Sequence, residues 1–168
     1  MRILIATTGV LPPAPVADLA NLLRSDDGSV IVMTVVQVPR HFLDALDDDV
    51  RRSFLDDSKE TGDAEAKAAK YLEERGQRAV EPIIAALSAV GIEPEVRYVE
   101  GDDAAEAIIY TAEDIGAELV LMGATRRLFT EEAWRSVSAR VMDKSNLPVL
   151  VVPGPRIEDT MEMPVIEL

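Results

Sequence analysis

The sequence predicts a single α/β domain: an open parallel sheet with helices on both faces. Three observations predict it. Short apolar runs alternate with longer segments of helical spacing along the chain. The apolar runs are continuous rather than alternating, as in Val30–Val36, where only Thr34 is polar; strands covered on both faces read this way. The length, 168 residues, is that of one domain. Such a chain buries about 68–70% of its extended surface, so one core suffices without staples.

The elements follow in order. Ile3–Ala6 is a first buried strand, and Leu11–Pro12–Pro13 breaks the chain after it. Val16, Leu19, Ala20 and Leu23 then recur at helical spacing until Asp26–Asp27–Gly28 stops them. Val30–Val36 is the second strand. Between Asp44 and Glu65 there are nine acids and three bases, yet Leu43, Leu46, Val50 and Phe54 keep a spacing of 3–4 residues, which predicts a short acidic amphipathic helix. A second helical stretch runs from about Asp63 to Val90, with Leu72, Val80, Ile83, Ile84 and Leu87 inward; Gly76 and Pro82 inside it mark a kink or a break. Gly91–Pro94 is a turn and Val96–Val99 a strand. Asp103 is the expected N-cap of a helix over Ala104–Ile115, which Gly116 ends. Leu119–Met122 is a buried strand that stops at Gly123. A helix is expected from about Thr130 to Lys144, and Pro148–Val152 is the last strand. Five strands at this length suit one half-Rossmann unit, which binds ligands beyond the carboxyl ends of the strands where the strand order reverses. The domain is expected over residues 1–153, with an acidic helical insert at about 40–62. Residues 154–168 form a tail in which Met163–Ile166 offers a further strand.

Composition narrows function. There is no Cys, which excludes a disulfide scaffold, a thiolate zinc site and a cysteine nucleophile. The net charge of −14 repels phosphate backbones and anionic membrane surfaces, so neither nucleic acid nor membrane is an expected partner. No apolar run reaches the roughly 20 residues of a membrane helix, and Met1–Ala6 is too short for a signal peptide's apolar region. A soluble cytoplasmic protein is expected.

Several spaced segments together resemble the universal stress protein family. Glu118–Thr125 is similar to its strand-and-loop signature. Ser136–Val137–Ser138, Val141 and Ser145–Val152 are similar to its closing helix and strand. Glu100–Gly101–Asp102 with Ala105 and Ile108 is similar to its E-G-D-P-A-E-A-I region. The resemblance covers essentially residues 1–153. It implies strand order 3-2-1-4-5 in an adenine nucleotide alpha hydrolase-like sheet. It also implies a homodimer whose last strand, Pro148, Val149, Leu150, Val151 and Val152 here, pairs with its twofold mate. Many members bind ATP. In those, an Asp ends the first strand, backbone after the second strand holds the base, and a G-x-x-G-x(9)-G-[ST] loop wraps the phosphates.

This chain departs from that pattern. Thr8 stands at the Asp position. Gly123 is kept, Arg126 and Arg135 stand at the other two glycine positions, and the loop is one residue shorter. Losing a charge-assisted acceptor for the ribose is worth about 1.5–3 kcal/mol. The resemblance therefore implies a crevice floored by Ala6, Thr8, Gly9, Val35, Met122 and Gly123 and rimmed by Thr125, Arg126, Arg127, Ser136, Val137 and Ser138, but without family-style ATP binding. Arg126, Arg127, Arg135, Arg140 and Lys144 gather five bases, which either hold an anion or pair with nearby acids. Phe129 and Trp134 are expected to pack or to plug the crevice. His41, the single histidine, has no catalytic partner in view, and Asp47–Asp49 and Asp56–Asp57 lack the spacing of a calcium loop, so no metal is expected. The Walker and dinucleotide fingerprints are absent, and Thr7–Pro12 does not match the S-G-G-x-D-S loop of an ATP pyrophosphatase. The expected function is a regulatory or adaptor dimer, with no enzymatic activity, no cofactor and an unidentified protein partner. The alternative is a stress sensor binding ATP or another adenosine phosphate with Mg through an arginine-modified loop.

Overall fold

A computed structural model describes residues 1–37, 61–124 and 136–154. The elements are β1 (Arg2–Ala6), α1 (Pro13–Leu23), β2 (Ser29–Val36), α2 (Thr61–Ala89), β3 (Glu95–Glu100), α3 (Ala104–Asp114), β4 (Leu119–Ala124), α4 (Val137–Lys144) and β5 (Val149–Pro153). The sheet has five strands in the order β3-β2-β1-β4-β5, and every adjacent pair is parallel. This is the expected α/β fold with the expected strand order. The central strand is β1, in which Ile5 sits beside Val32 of β2 and Leu121 of β4.

Side chains alternate across each strand, so the sheet feeds two cores. On one face Ile3, Ile5, Val30, Val32 and Leu121 meet Val16, Ala17 and Ala20 of α1 and Val80, Ile83 and Leu87 of α2. On the other, Leu4, Ala6, Ile31, Met33, Val120 and Met122 meet Ala105, Ile108 and Ala112 of α3 and Val141 of α4. Each fully buried Leu, Ile or Val contributes about 1.5–3 kcal/mol relative to exposure.

The helix ends follow local chemistry. Asp103 caps α3 by accepting from the N–H groups of Ala105 and Glu106. α2 ends in a Schellman motif: Ile92 N–H donates to the Leu87 carbonyl at 2.9 Å and Gly91 N–H to Ser88 at 3.0 Å, with Gly91 at φ +78. α3 closes in the same way through Gly116 and Ala117.

Several boundaries differ from expectation; β4, for one, runs through Gly123 to Ala124 instead of stopping at the glycine. α2 runs unbroken through both Gly76 and Pro82. Pro82 is exposed, whereas Gly76 is buried against the ring of Tyr98, where a Cβ would lie 2.3 Å from Cδ1. The glycine is the notch that lets α2 lie on β3. β5 is Val149–Pro153, one residue later than expected. α4 begins at Val137 behind a Ser136 cap; the expected start near Thr130 lies outside the described residues, as do the acidic segment at 41–57 and the tail beyond Gly154.

Gly76→Ala tests the notch. Alanine raises intrinsic helix propensity by about 1 kcal/mol, but the added carbon overlaps Tyr98. We expect a net destabilisation of about 1–3 kcal/mol by urea denaturation, the scale of overpacking, relieved by Tyr98→Leu in the same chain.

Candidate functional site

The strand order reverses between β1 and β4, so the crevice at their carboxyl ends is where such a sheet takes a ligand. Its geometry is set first by how β1 ends. Ala6 is buried in the α3–α4 core. Thr7 continues the ladder, donating its N–H to Met33 at 3.0 Å, and its buried hydroxyl accepts from Gly9 N–H at 2.9 Å. This Thr turn bends the chain at Gly9, φ +94, and leaves Thr8 exposed.

The chain then dives back. Val10 is 68% exposed, but Leu11 is only 5% exposed and joins the core formed by Ile5, Leu121 and Val152. Its side chain lies over Gly123 at the end of β4, where a Cβ would come within 3.2 Å of Leu11 Cδ2. A side chain at this position would press on the end of Leu11, which would have to give by a few tenths of an ångström. Met122 is core on the opposite face, and Val35 at the end of β2 is half-buried against the same cluster. Gln37 Nε2 donates to the Asp102 carbonyl at 2.7 Å and Gly101 N–H to Val36 at 3.3 Å, tying the end of β2 to the start of α3.

The helix N-termini at this end differ in what they present. α1 starts Pro12–Pro13–Ala14–Pro15 with no side-chain cap. Of Pro13, Ala14 and Pro15, only Ala14 has an N–H, so this N-terminus is a poor anion cradle. At α3 the Asp103 carboxylate already takes two N–H groups. At α4 the cap is neutral: Ser136 Oγ accepts from Ala139 N–H at 3.3 Å and lies 3.2 Å from Oγ of the buried Ser138.

Two of the five bases lie among the described residues. Arg140 forms an ion pair with Asp103, and Lys144 lies 3.6 Å from Glu106. These two bases fasten α4 to α3, which is the pairing alternative. The Arg140 hydrogen bond, followed by the Glu106 N–H, holds the Asp103 carboxyl below its ordinary range against a smaller opposing effect of burial. Thr125, Arg126, Arg127, Phe129, Trp134, Arg135 and His41 lie outside the described residues. The structure thus brings Ala6, Thr8, Gly9, Val35, Met122, Gly123, Ser136, Val137 and Ser138 to one end of the sheet. It adds Leu11 and Asp103, which the sequence reading did not place in the crevice; the signal for Leu11 was an apolar residue set directly before the Pro12–Pro13 break. Among the described residues, no group of three or more His, Asp or Glu is placed to hold a metal ion, and no helix is long and apolar enough to cross a membrane.

Residues 1–153 match the model of the universal stress protein family. No curated protein matches the chain. Among solved structures, a universal stress protein in complex with cAMP is similar at 21% identity and a TM-score of 0.61, covering 92% of this chain and 98% of that one. A hypothetical protein solved as a test case of structural genomics is similar at 23% identity and TM-score 0.60, covering 92% of this chain and 96% of that one. A universal stress protein family protein from Arabidopsis thaliana with AMP bound is similar at 13% identity and TM-score 0.52, covering 92% of each chain. At these identities the structural likeness is one of fold.

Two predictions follow from this geometry. Gly123→Ala crowds Leu11 and should cost about 1–3 kcal/mol. Combined with Leu11→Ala, the loss should fall short of the sum of the singles by at least about 0.5 kcal/mol in a double-mutant cycle; strict additivity would separate the two residues. Asp103→Asn keeps a capping side chain but removes the charge. Because the folded carboxyl titrates below its unfolded value, its stabilisation is complete above that unfolded value, about 3.9, and is lost as pH falls through the folded one. The gap in urea midpoint between parent and variant should therefore be full at pH 7 and close in acid.

Proposed function

From the premise that this chain belongs to the universal stress protein family, we propose that it is a regulatory or adaptor member. It acts through contacts rather than chemistry, catalyses no reaction, and does not hold ATP in the manner of the family's ATP-binding members. The observation that carries this reading is Leu11 packed over Gly123. Leu11 anchors the β1–α1 loop in the core beside the crevice, with its side chain against Gly123. Thr8 at the end of β1 supports it, since a hydroxyl without charge is a weaker partner for ribose than a carboxylate. The prolines opening α1 support it as well. The compartment we propose is the cytoplasm.

The assembly we propose is a homodimer. β5 is a sheet edge whose residues Val149, Leu150 and Val151 are only half-buried, and an open apolar edge is an aggregation hazard that twofold pairing removes. The orientation of its backbone makes a clean test. Val120 N–H donates to Pro148 O at 3.0 Å, with Val120 in register with Val149. In a parallel ladder Pro148, Leu150 and Val152 then face β4, while Val149 and Val151 turn their N–H and C=O groups to the free edge.

A second reading, a sensor of adenosine nucleotides, is favoured by the neutral Ser136 cap of α4 at the crevice, where a phosphate meets no carboxylate cap. Structures of similar fold carry cAMP and AMP. In that reading Arg126 and Arg127 supply charge in place of glycine N–H groups, with Mg on the phosphates.

Titration calorimetry with ATP and magnesium separates the readings. We expect no binding at micromolar concentrations; a micromolar dissociation constant would instead establish the sensor, and Arg126→Ala should then weaken it. Thr8→Asp restores a ribose acceptor and should strengthen any residual binding by about tenfold, or ~1.4 kcal/mol. For the dimer, light scattering at micromolar concentration should give twice the chain mass. Val151→Pro removes a donor from the free edge and none from the β4–β5 ladder, so it should yield a folded monomer.

A further inference from the structure

The outward row of β5 is bounded at both ends by residues that cannot donate. The Val120–Pro148 hydrogen bond and the β4–β5 register turn Val149, Val151 and Pro153 toward the free edge. Val149 and Val151 each have an N–H to give, and Pro153 has none. Before Val149, the next residue of the same parity is Leu147, whose N–H is already bound to Ser145 Oγ at 3.1 Å. The edge thus offers complete backbone groups at Val149 and Val151 alone, placed symmetrically about Leu150.

We propose that a second copy of this chain pairs antiparallel with β5 about a twofold axis through Leu150, so that Leu150 faces its own mate. The axis rests on the homodimer reading above and gives that dimer its register and its central contact.

Donor positions select the axis. A twofold axis at Leu150 sets Val149 against the partner's Val151, and every outward N–H and C=O of these residues is then paired. It also sets Leu147 against the partner's Pro153, so the residues that cannot donate meet at the ends of the ladder. An axis at Val151 sets Val149 against the partner's Pro153, which aims a pyrrolidine ring at a carbonyl that needs a donor. An axis at Val149 sets Val151 against the partner's Leu147, whose N–H is spent. Axes farther along the strand keep these mismatches and leave more of the row unpaired.

Side chains agree with this choice. Leu150 is half-buried against the core beneath α1 and α2, and Val149 and Val151 are half-buried against the core beneath α3 and α4. Residues directly opposite in an antiparallel pair share a face. The axis therefore makes a leucine pair on the first face and Val149–Val151 pairs on the second. The leucine pair falls at a position without ladder bonds, where opposed side chains come closest and Cα atoms lie about 4.5 Å apart. No residue of β5 is charged, so two copies of net charge −14 meet along a stretch where neither presents a charge.

Single cysteines in the full chain locate the axis, because the parent has no Cys to interfere. With oxidised glutathione, Leu150→Cys should form a covalent dimer about tenfold or more faster than Val149→Cys or Val151→Cys. At the axis the Cα separation suits a disulfide, whereas residues at 149 or 151 reach their own mates only across a diagonal of about 7–8 Å. Linkage as fast at 149 or 151 would overturn the axis. A charge swap tests the same contact without a disulfide. Leu150→Lys and Leu150→Glu should each raise the dimer dissociation constant about tenfold or more by sedimentation equilibrium, and mixing the two variants in equal amounts should recover most of that loss. A mixture no tighter than either variant alone would overturn the leucine pair. A parent chain that sediments as a monomer would overturn the homodimer reading, and the axis with it; a dimeric parent whose Leu150→Cys variant does not link overturns the axis alone.

Discussion

The constraint on which the rest depends is the burial of β1 on all four sides. Ile3, Leu4 and Ile5 are 0% exposed, β2 and β4 bond to the two edges of the strand, and helices cover both its faces. A strand so enclosed leaves its backbone no partners except its neighbours, so its register with β2 and β4 is fixed and the reversal point falls at its carboxyl end. Any ligand site in this fold opens above Ala6. Whether that opening is usable is decided by the few residues that take the chain from β1 to α1. Here they spend little length outside the core. Thr7 bends the turn onto Gly9, and Leu11 returns to the apolar layer beside Ile5 and Leu121. On the side of β1, the crevice is shaped by hydrophobic packing of Leu11.

Helix caps divide the electrostatics of the same end of the molecule. An N-terminus carries roughly half a positive charge, which a ligand anion and a protein carboxylate compete to satisfy. At α3 the carboxylate is Asp103, and it also takes the Arg140 guanidinium from α4. One acid thus satisfies a helix end and positions a second helix, with Lys144 and Glu106 adding a weaker, exposed contact one turn further on. At α1 two prolines remove donors. That leaves the serine-capped end of α4 as the position where an anion would meet least competition, and it defines the alternative reading.

Much of this was legible from sequence because it is local. Strands with apolar residues at every position, the Asp103 cap and the glycines after α2 and α3 each declare themselves within a few residues. What was not legible depends on partners far along the chain. Gly76 reads as a weak point of a helix, yet it exists for Tyr98, a residue of β3. Gly123 reads as a loop glycine kept for phosphate, and its close neighbour is Leu11. Arg140 and Lys144 read as an anion site or, more readily, as paired bases; the partner of Arg140 is Asp103, 37 residues away, and that of Lys144 is Glu106. In each case the residue type was informative and the distant contact that explains it was not.

The two edges of the sheet show where such a molecule can be met by others. β3 has an edge guarded by charge: Arg97 contacts Glu95 at 2.8 Å and Asp114 at 3.4 Å, and Glu100 closes the strand. These groups make strand addition there costly, because pairing would desolvate them. β5 has no charged residue between Val149 and Pro153. Among the described residues, the outward N–H and C=O groups of Val149 and Val151 have no strand beside them. An acidic surface discourages indiscriminate association, so whatever closes this edge must offer a strand of the right parity and an apolar face on the α4 side. Recognition by backbone parity is selective without any specialised side chain.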